Sequence, residues 1–65
     1  MPRYYFHVKR GQLTVLDHNG AELADLAEAE KEAVRRAREI VTREGPTKGC
    51  VIVADDWRTV WEVPF

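Results

Sequence analysis

The alternation of side chains near the start of the chain predicts a β-strand. From residue 3 to residue 10, aromatic and β-branched residues follow a period of two, with Tyr4, Phe6 and Val8 on one side. Gly11 interrupts this pattern, and a second short strand then closes a hairpin. Two more runs rich in β-branched residues follow in the last quarter of the chain, joined by a turn over residues 55–58. The predicted strands cover residues 3–10, 13–17, 50–54 and 59–65.

The segment from Asp25 to Glu44 has the spacing of an amphipathic helix. Asp25 is a good N-cap residue, and Glu28 three positions later completes a pair typical of a capping box. Gly45 favours the end of the helix, and Pro46 prevents its continuation. At 100° per residue, an apolar stripe runs along one side. This stripe consists of Leu26, Ala29, Ala33, Ala37 and Ile40, with Val34 and Val41 on its flank.

The order of these elements predicts an α+β fold of the ββαββ type. One helix would pack on a four-stranded, mainly antiparallel sheet, which gives a two-layer sandwich in a single domain over residues 1–65. We expect the first and last strands to be neighbours, so that the sheet order by strand number is 2-1-4-3. The three alanines of the helix stripe favour a close approach of the helix to the sheet, with large side chains of the sheet filling the layer between them.

One helix covers only one face of such a sheet, so the other face needs a partner or solvent. We expect Cys50 and Ile52 to point towards the helix, as do Trp61, Val63 and Phe65. The uncovered face would then be too apolar to leave in water without a reason. Twist of the sheet and long side chains could shield this face in a single chain. Otherwise a second copy of the chain, or another protein, would cover it, and a homodimer is the simplest prediction. The predicted interface residues are Tyr5, His7, Val51, Val53 and Val60.

Composition narrows the class of protein further. The chain has 65 residues and a formal net charge of -1, so charge alone does not attract it to nucleic acid or anionic lipid. No run approaches the ~20 apolar residues of a membrane-spanning helix, and the first residues do not resemble a secretory signal. A single cysteine excludes a disulfide within the chain and fits a reducing cytoplasm.

The two ends of the chain resemble a known family. The opening Pro2-Arg3-Tyr4-Tyr5-Phe6-His7-Val8 and the closing Val63-Pro64-Phe65 are similar to those of a family of short proteobacterial proteins that is common in rhizobia. The segment from Asp17 to Asp25, with Gly20 and Glu22-Leu23, resembles the same family's hairpin exit and helix start. The family is a domain of unknown function, so the resemblance implies no catalytic or binding residue.

Basic residues in the helix suggest an alternative function. Lys31, Arg35, Arg38 and Arg43 would contact phosphates if the domain were a nucleic-acid-associated regulator. The same basic residues would also stabilise the helix without any ligand, because cations near a helix C-terminus complement the helix dipole. Acidic residues also recur among the basic ones at pairing distance along the helix, and they would repel a phosphate backbone. The predicted pairs are Glu32–Arg36 and Glu39–Arg43.

The residues that could carry chemistry are few. His7 would need Asp17 or Glu62 to orient it as a general base. Cys50 lies in an apolar run, where burial quiets a thiol. Glu30 lies within the apolar stripe of the helix, where it either reaches water or pairs with Arg3, Arg58 or His7. No spacing typical of a metal site or a phosphate-binding loop occurs, so we expect no metal, no cofactor and a non-catalytic interaction module.

Overall fold

The computed structural model describes residues 2–45, 47–56 and 58–65. The predictions that rest on Pro46 and Trp57 themselves lie outside these ranges. The α+β class is confirmed, with one helix and an open, mainly antiparallel sheet. The elements are β1 (Arg3–Arg10), β2 (Leu13–Val15), β3 (Ala21–Glu22), α1 (Leu26–Glu44), β4 (Cys50–Ala54) and β5 (Thr59–Pro64).

The strand order of the sheet is β2-β1-β4-β5. The predicted neighbourhood of the first and last strands is therefore wrong, because β1 pairs with β4 and β5 forms an edge. The register from Tyr5–Ala54 to Lys9–Cys50 gives β1 and β4 five antiparallel pairs. A continuous apolar run such as β4 is typical of a central strand. β5 ends in Pro64, which has no N–H to donate and is best tolerated at an edge.

A short strand that was not predicted lies between the first hairpin and the helix. β3 pairs antiparallel with the first residues of β1, with Arg3 opposite Glu22 and Tyr4 opposite Ala21. β2 is also shorter than predicted, since it ends at Val15. β2 and β3 therefore share the outer edge of β1, and the middle of β1 lies between them.

The helix matches its prediction. Asp25 is the N-cap, and its Oδ1 accepts a hydrogen bond of 3.0 Å from the N–H of Glu28. Gly45 forms the C-cap with a positive φ of 80°, which glycine adopts without steric cost. Ala29, Ala33 and Ala37 are the buried residues of α1, as the apolar stripe predicts, but Leu26 at the start of the same stripe is 37% exposed. The small side chains of the alanines bring the helix axis close to the sheet.

The core lies between α1 and the sheet, and it corrects the predicted orientation of β4. Val51 and Val53 are fully buried, so the prediction that Cys50 and Ile52 point towards the helix is wrong. The register explains this result, because Phe6 lies opposite Val53 and side chains of directly opposed residues share one face of a sheet. The buried core residues are Tyr4, Phe6, Ala29, Ala33, Ala37, Val51, Val53 and Ala54.

β5 carries an irregularity beside the core. Ala54 pairs with Thr59 and Val53 pairs with Trp61, which leaves Val60 as an extra residue in a β-bulge. Val60 was predicted on the uncovered face, but it is half-buried and packs against the core. Val63 and Phe65 also pack against the core, as predicted. Their strand neighbour Trp61 lies on the helix side by register, yet 45% of it is exposed.

Candidate interaction surface

A groove of about 580 Å³ lies between α1 and the edge strand β5. Its apolar part comes from Ala27 and Val34 of the helix and from Trp61 of the strand. Val34 is 37% exposed, and Val41, on the same flank of the helix, is 39% exposed. This surface, here called the α1–β5 groove, therefore keeps apolar area in contact with solvent. Its lining residues are Ala27, Glu30, Lys31, Val34, Arg35, Arg38 and Trp61.

The groove follows from the width of the two layers. A helix with its side chains is about 10–12 Å across. Four strands spaced by about 4.8 Å are wider than that, so one helix cannot cover both edges of the sheet. α1 packs over β4 and β5, and its buried residues are alanines, whose small side chains cover little of the sheet. Trp61 lies on the helix side of the edge strand and consequently stays partly exposed.

Two opposite charges flank the apolar part of the groove. Glu30 precedes Val34 by four residues, and Arg38 follows it by four. Within the part of the chain that the structure describes, neither Glu30 nor Arg38 forms an ion pair. The hypothesis that Glu30 pairs with Arg3, Arg58 or His7 is therefore not met here, and Arg3 binds Glu22 instead. Among the described residues, Glu30 and Arg38 are thus two charges without an ion pair, one on each side of Val34 along the groove.

The other basic residues of the helix are engaged in ion pairs. Of the four cations in the alternative nucleic-acid hypothesis, Lys31, Arg35 and Arg43 bind carboxylates one turn away. A phosphate group approaching them would meet glutamates on the same helix surface. The pairs are Lys31–Glu28 at 3.4 Å, Arg35–Glu32 and Arg35–Glu39 at 2.7 Å, and Arg43–Glu39 at 2.8 Å.

Glu32 is the centre of this ion-pair network. A hydrogen bond from Arg35 lowers the pKa of Glu32 to about 2, although desolvation opposes this change, and Arg36 adds a second hydrogen bond. Glu32 in turn raises the pKa of the Arg35 guanidinium. Arg36 also lies over the ring of Phe6, with its Cζ 4.4 Å from the ring centroid. The network therefore holds a cation over the core on the β1 side of the helix.

A second group of exposed apolar side chains lies at the opposite edge of the sheet. Leu13 is 60% exposed and Val15 is 52% exposed. Val15 lies opposite Val8, so its side chain is on the helix side of the sheet, beyond the reach of α1. The ion pair between Arg10 and Glu44 joins the ends of β1 and α1 near this surface.

The face of the sheet away from the helix is mixed in character. Tyr5 and His7 lie on it as predicted, with nearly parallel rings whose centroids are 6.4 Å apart. His7 lies opposite Ile52, which in turn lies opposite Glu62. With Val51 and Val53 in the core, this face lacks the apolar valines that made it the predicted interface. The exposed apolar side chains lie instead at the two edges of the sheet, on the face that carries the helix.

Asp17 and His7 lie close together, but the side chain of each accepts hydrogen bonds from the backbone and not from the other side chain. Oδ2 of Asp17 accepts a 3.1 Å hydrogen bond from the N–H of Phe6, and Oδ1 accepts from the N–H groups of Asn19 and Gly20. Partial burial acts to raise the pKa of Asp17, but these three hydrogen bonds outweigh it and the pKa is lowered from 3.8. Nδ1 of His7 accepts a 2.9 Å hydrogen bond from the backbone N–H of Asp17. The Asp17 carboxylate therefore stabilises a turn and does not orient the imidazole.

Two of the remaining candidates for chemistry, Cys50 and Glu62, contact each other on neighbouring strands. Sγ of Cys50 lies 3.9 Å from Oε1 of Glu62, and the thiol is only half-buried. Among residues 2–45, 47–56 and 58–65, no three His, Cys, Asp or Glu side chains are grouped so that they would hold a metal ion. In the same ranges no helix combines the length and the apolar character needed to cross a bilayer.

The fold and its surfaces define a small α+β domain with one helix on an open sheet. A family model for a domain of unknown function, DUF6894, matches residues 3–65. The chain belongs to this family, and the expected membership of an uncharacterised family is thereby confirmed. The comparisons with curated proteins and with solved structures found no match.

The groove is the part of the site that the sequence pattern did not reveal. Lys31, Arg35 and Arg38 were predicted only as phosphate contacts, and Trp61 was placed in the core. One signal was present in the sequence, since Ala27, Val34 and Val41 recur every seven residues on the flank of the helix. The structure brings this flank beside Trp61.

Proposed function

We propose that this domain is a non-catalytic interaction module that associates with a second copy of itself. The observation that carries the proposal is the exposure of large apolar side chains on the surface formed by α1 and β5. Val34, Val41 and Trp61 are each between 37% and 45% exposed. Apolar side chains gathered on one surface favour association, because their burial removes them from water.

The small size of the domain supports the same proposal. A chain of 65 residues buries a limited fraction of its surface, so its net stability is small. Among the described residues the fully buried side chains are valines and alanines, and Cys50 is a free thiol. Association with a second copy would add buried apolar area without lengthening the chain.

Light scattering on the purified full chain, over a wide range of concentration, tests the proposal. We expect the mass to rise from the 7.5 kDa of one chain towards twice that value. The buffer contains a reductant, so that Cys50 cannot link two chains through a disulfide. A mass that stays at 7.5 kDa at the highest soluble concentration would overturn self-association.

Two other predictions stay open beside this one. The absence of catalysis and the cytoplasmic location are inferred from the sequence, and they remain predictions. The nucleic-acid hypothesis has less support, because its cations Lys31, Arg35 and Arg43 are neutralised within the helix. Salt-dependent retention on DNA, lost when Arg35 and Arg38 are replaced with alanine, would favour it over self-association.

A further inference from the structure

We infer that the α1–β5 groove is the homodimer interface of this domain. In this arrangement β5 pairs antiparallel with β5 of a second copy, and the two α1 helices pack antiparallel beside each other on one face of a continuous sheet. The inference rests on the proposed self-association, and it names the surface and the symmetry through which that association occurs.

The helix flank is complementary to itself about Val34. A two-fold axis at Val34 places Ala27 opposite Val41 of the second copy, because the two residues lie seven positions to either side. The same axis places Glu30 opposite Arg38 of the second copy, since each is four residues, or about 6 Å, from Val34. Among the described residues of one chain, Glu30 and Arg38 form no ion pair. In the dimer, Glu30 of each copy pairs with Arg38 of the other, which gives two ion pairs, each beside apolar contacts.

The edge strand fits the same axis. Within the described residues no strand pairs with the outer edge of β5, so its backbone groups there are open to pairing with another strand. Trp61 lies near the middle of β5 and lines the same groove as Val34. One two-fold axis therefore passes close to both residues. Pro64, which lacks an N–H, lies at the end of β5, where it removes little from such a pairing.

The spacing of the layers also fits. α1 packs over β4 and β5, so its axis lies about one strand spacing from the outer edge of the sheet. Strands are about 4.8 Å apart, and two helices related across paired β5 strands would therefore be about 10 Å apart. Helices pack at about 8–10 Å, so this distance brings the two Val34 side chains into contact. The groove of about 580 Å³ would be filled by the second copy.

The opposite edge of the sheet lacks this self-complementarity. β2 has only three residues, so it offers a short edge for pairing. The charged groups near it, Arg10 and Glu44, already form an ion pair within the chain. The exposed side chains of Leu13 and Val15 thus have no charge pattern that a second copy would match.

A charge-swap experiment tests the inference. Glu30→Arg would place a second guanidinium against Arg38 of the other copy, and Arg38→Glu would place a second carboxylate against Glu30. We expect each single variant to raise the dissociation constant of the dimer at least about tenfold, measured by sedimentation equilibrium, because two like-charge contacts arise in each dimer. The double variant restores both ion pairs with reversed sign, and its dissociation constant should return to within about threefold of the original. Circular dichroism checks that every variant folds.

The control is Leu13→Glu, which adds a charge at the opposite edge and should leave the dissociation constant unchanged. Single variants that dimerise like the original chain, or a double variant as weak as the singles, would overturn the assignment of the groove. If Leu13→Glu dissociated the dimer and the charge variants did not, the assignment of the groove would also be overturned, while self-association itself would stand. An unmodified chain that is monomeric at every concentration would instead overturn the proposed function.

Discussion

Gly49 shows how one residue sets the approach of three strands. A Cβ added at Gly49 would collide with the carbonyl oxygen of Lys9, and it would lie 2.9 Å from Cζ of Phe65. Gly49 also exchanges two backbone hydrogen bonds with Phe65, of 3.2 Å and 2.8 Å, and these extend the pairing of β4 with β5. The missing side chain therefore lets β1 and the end of β5 close around the start of β4.

We predict that Gly49→Ala lowers the free energy of unfolding by about 2 kcal/mol or more, because the backbone of β1 must move away from the new methyl group. Denaturant unfolding followed by circular dichroism measures this loss. Gly11→Ala is the matched control, since Gly11 has a positive φ of 59° but a methyl group added there would meet no atom within 4 Å. Its cost is conformational only, about 1 kcal/mol. Equal losses in the two variants would contradict the steric argument.

At the scale of elements, Asp17 joins the two short strands on the outer edge of β1. β2 and β3 pair with the ends of β1, and the Asp17 carboxylate accepts the N–H of Phe6 in the gap between them. Its folded-state pKa is lower than 3.8, so the carboxylate stabilises the fold at higher pH and loses this contribution as the pH falls through the lowered pKa. Glu32 acts in the same direction, because its pKa falls from 4.5 in the unfolded chain to about 2.

We predict that the free energy of unfolding decreases as the pH falls from about 4.5 to 2, and that Asp17→Asn makes this decrease shallower. At neutral pH the same variant should cost about 1–3 kcal/mol, because the amide has a single acceptor oxygen and its NH2 group leaves at least one of the three backbone N–H groups without an acceptor. Urea unfolding at a series of pH values gives both quantities. Asp56→Asn, at an exposed position, is the control and should follow the original chain. A parallel pH curve for Asp17→Asn would refute the role of the carboxylate.

The elements also differ in how far their sequences predict them. The helix is predictable because its period, its N-cap Asp25 and its glycine C-cap agree. The orientation of β4 is not, since all five of its residues are apolar and no alternation marks the inner face. Only the pairing with β1 decides that Val51 and Val53 are buried. β3 has two residues, which is too few to show any period.

At the scale of the whole molecule, the hydrophobic pattern correctly predicts that one helix cannot cover this sheet. It places the uncovered apolar surface on the wrong part of the sheet, however, on the far face and not at the edges. Alternation along a strand distinguishes only the two faces of a sheet. The width of the sheet matters as well, because α1 lies over β4 and β5 and leaves Trp61 at one edge and Leu13 at the other exposed. Such lateral placement depends on strand order, and the pattern of apolar residues carries no information about it.

Self-association should finally appear in the thermal stability of the molecule. A dimer that dissociates on unfolding becomes more stable with concentration, and a tenfold increase adds about 0.7 kcal/mol per chain. For a domain of this size, that free energy corresponds to a rise in Tm of roughly 3–6 °C at concentrations above the dissociation constant. Calorimetry on a dilution series measures it. The Glu30→Arg variant should show this dependence only at concentrations at least about tenfold higher, whereas Leu13→Glu should show it over the same range as the original chain. A Tm independent of concentration in the unmodified chain would show that folding and association are not linked.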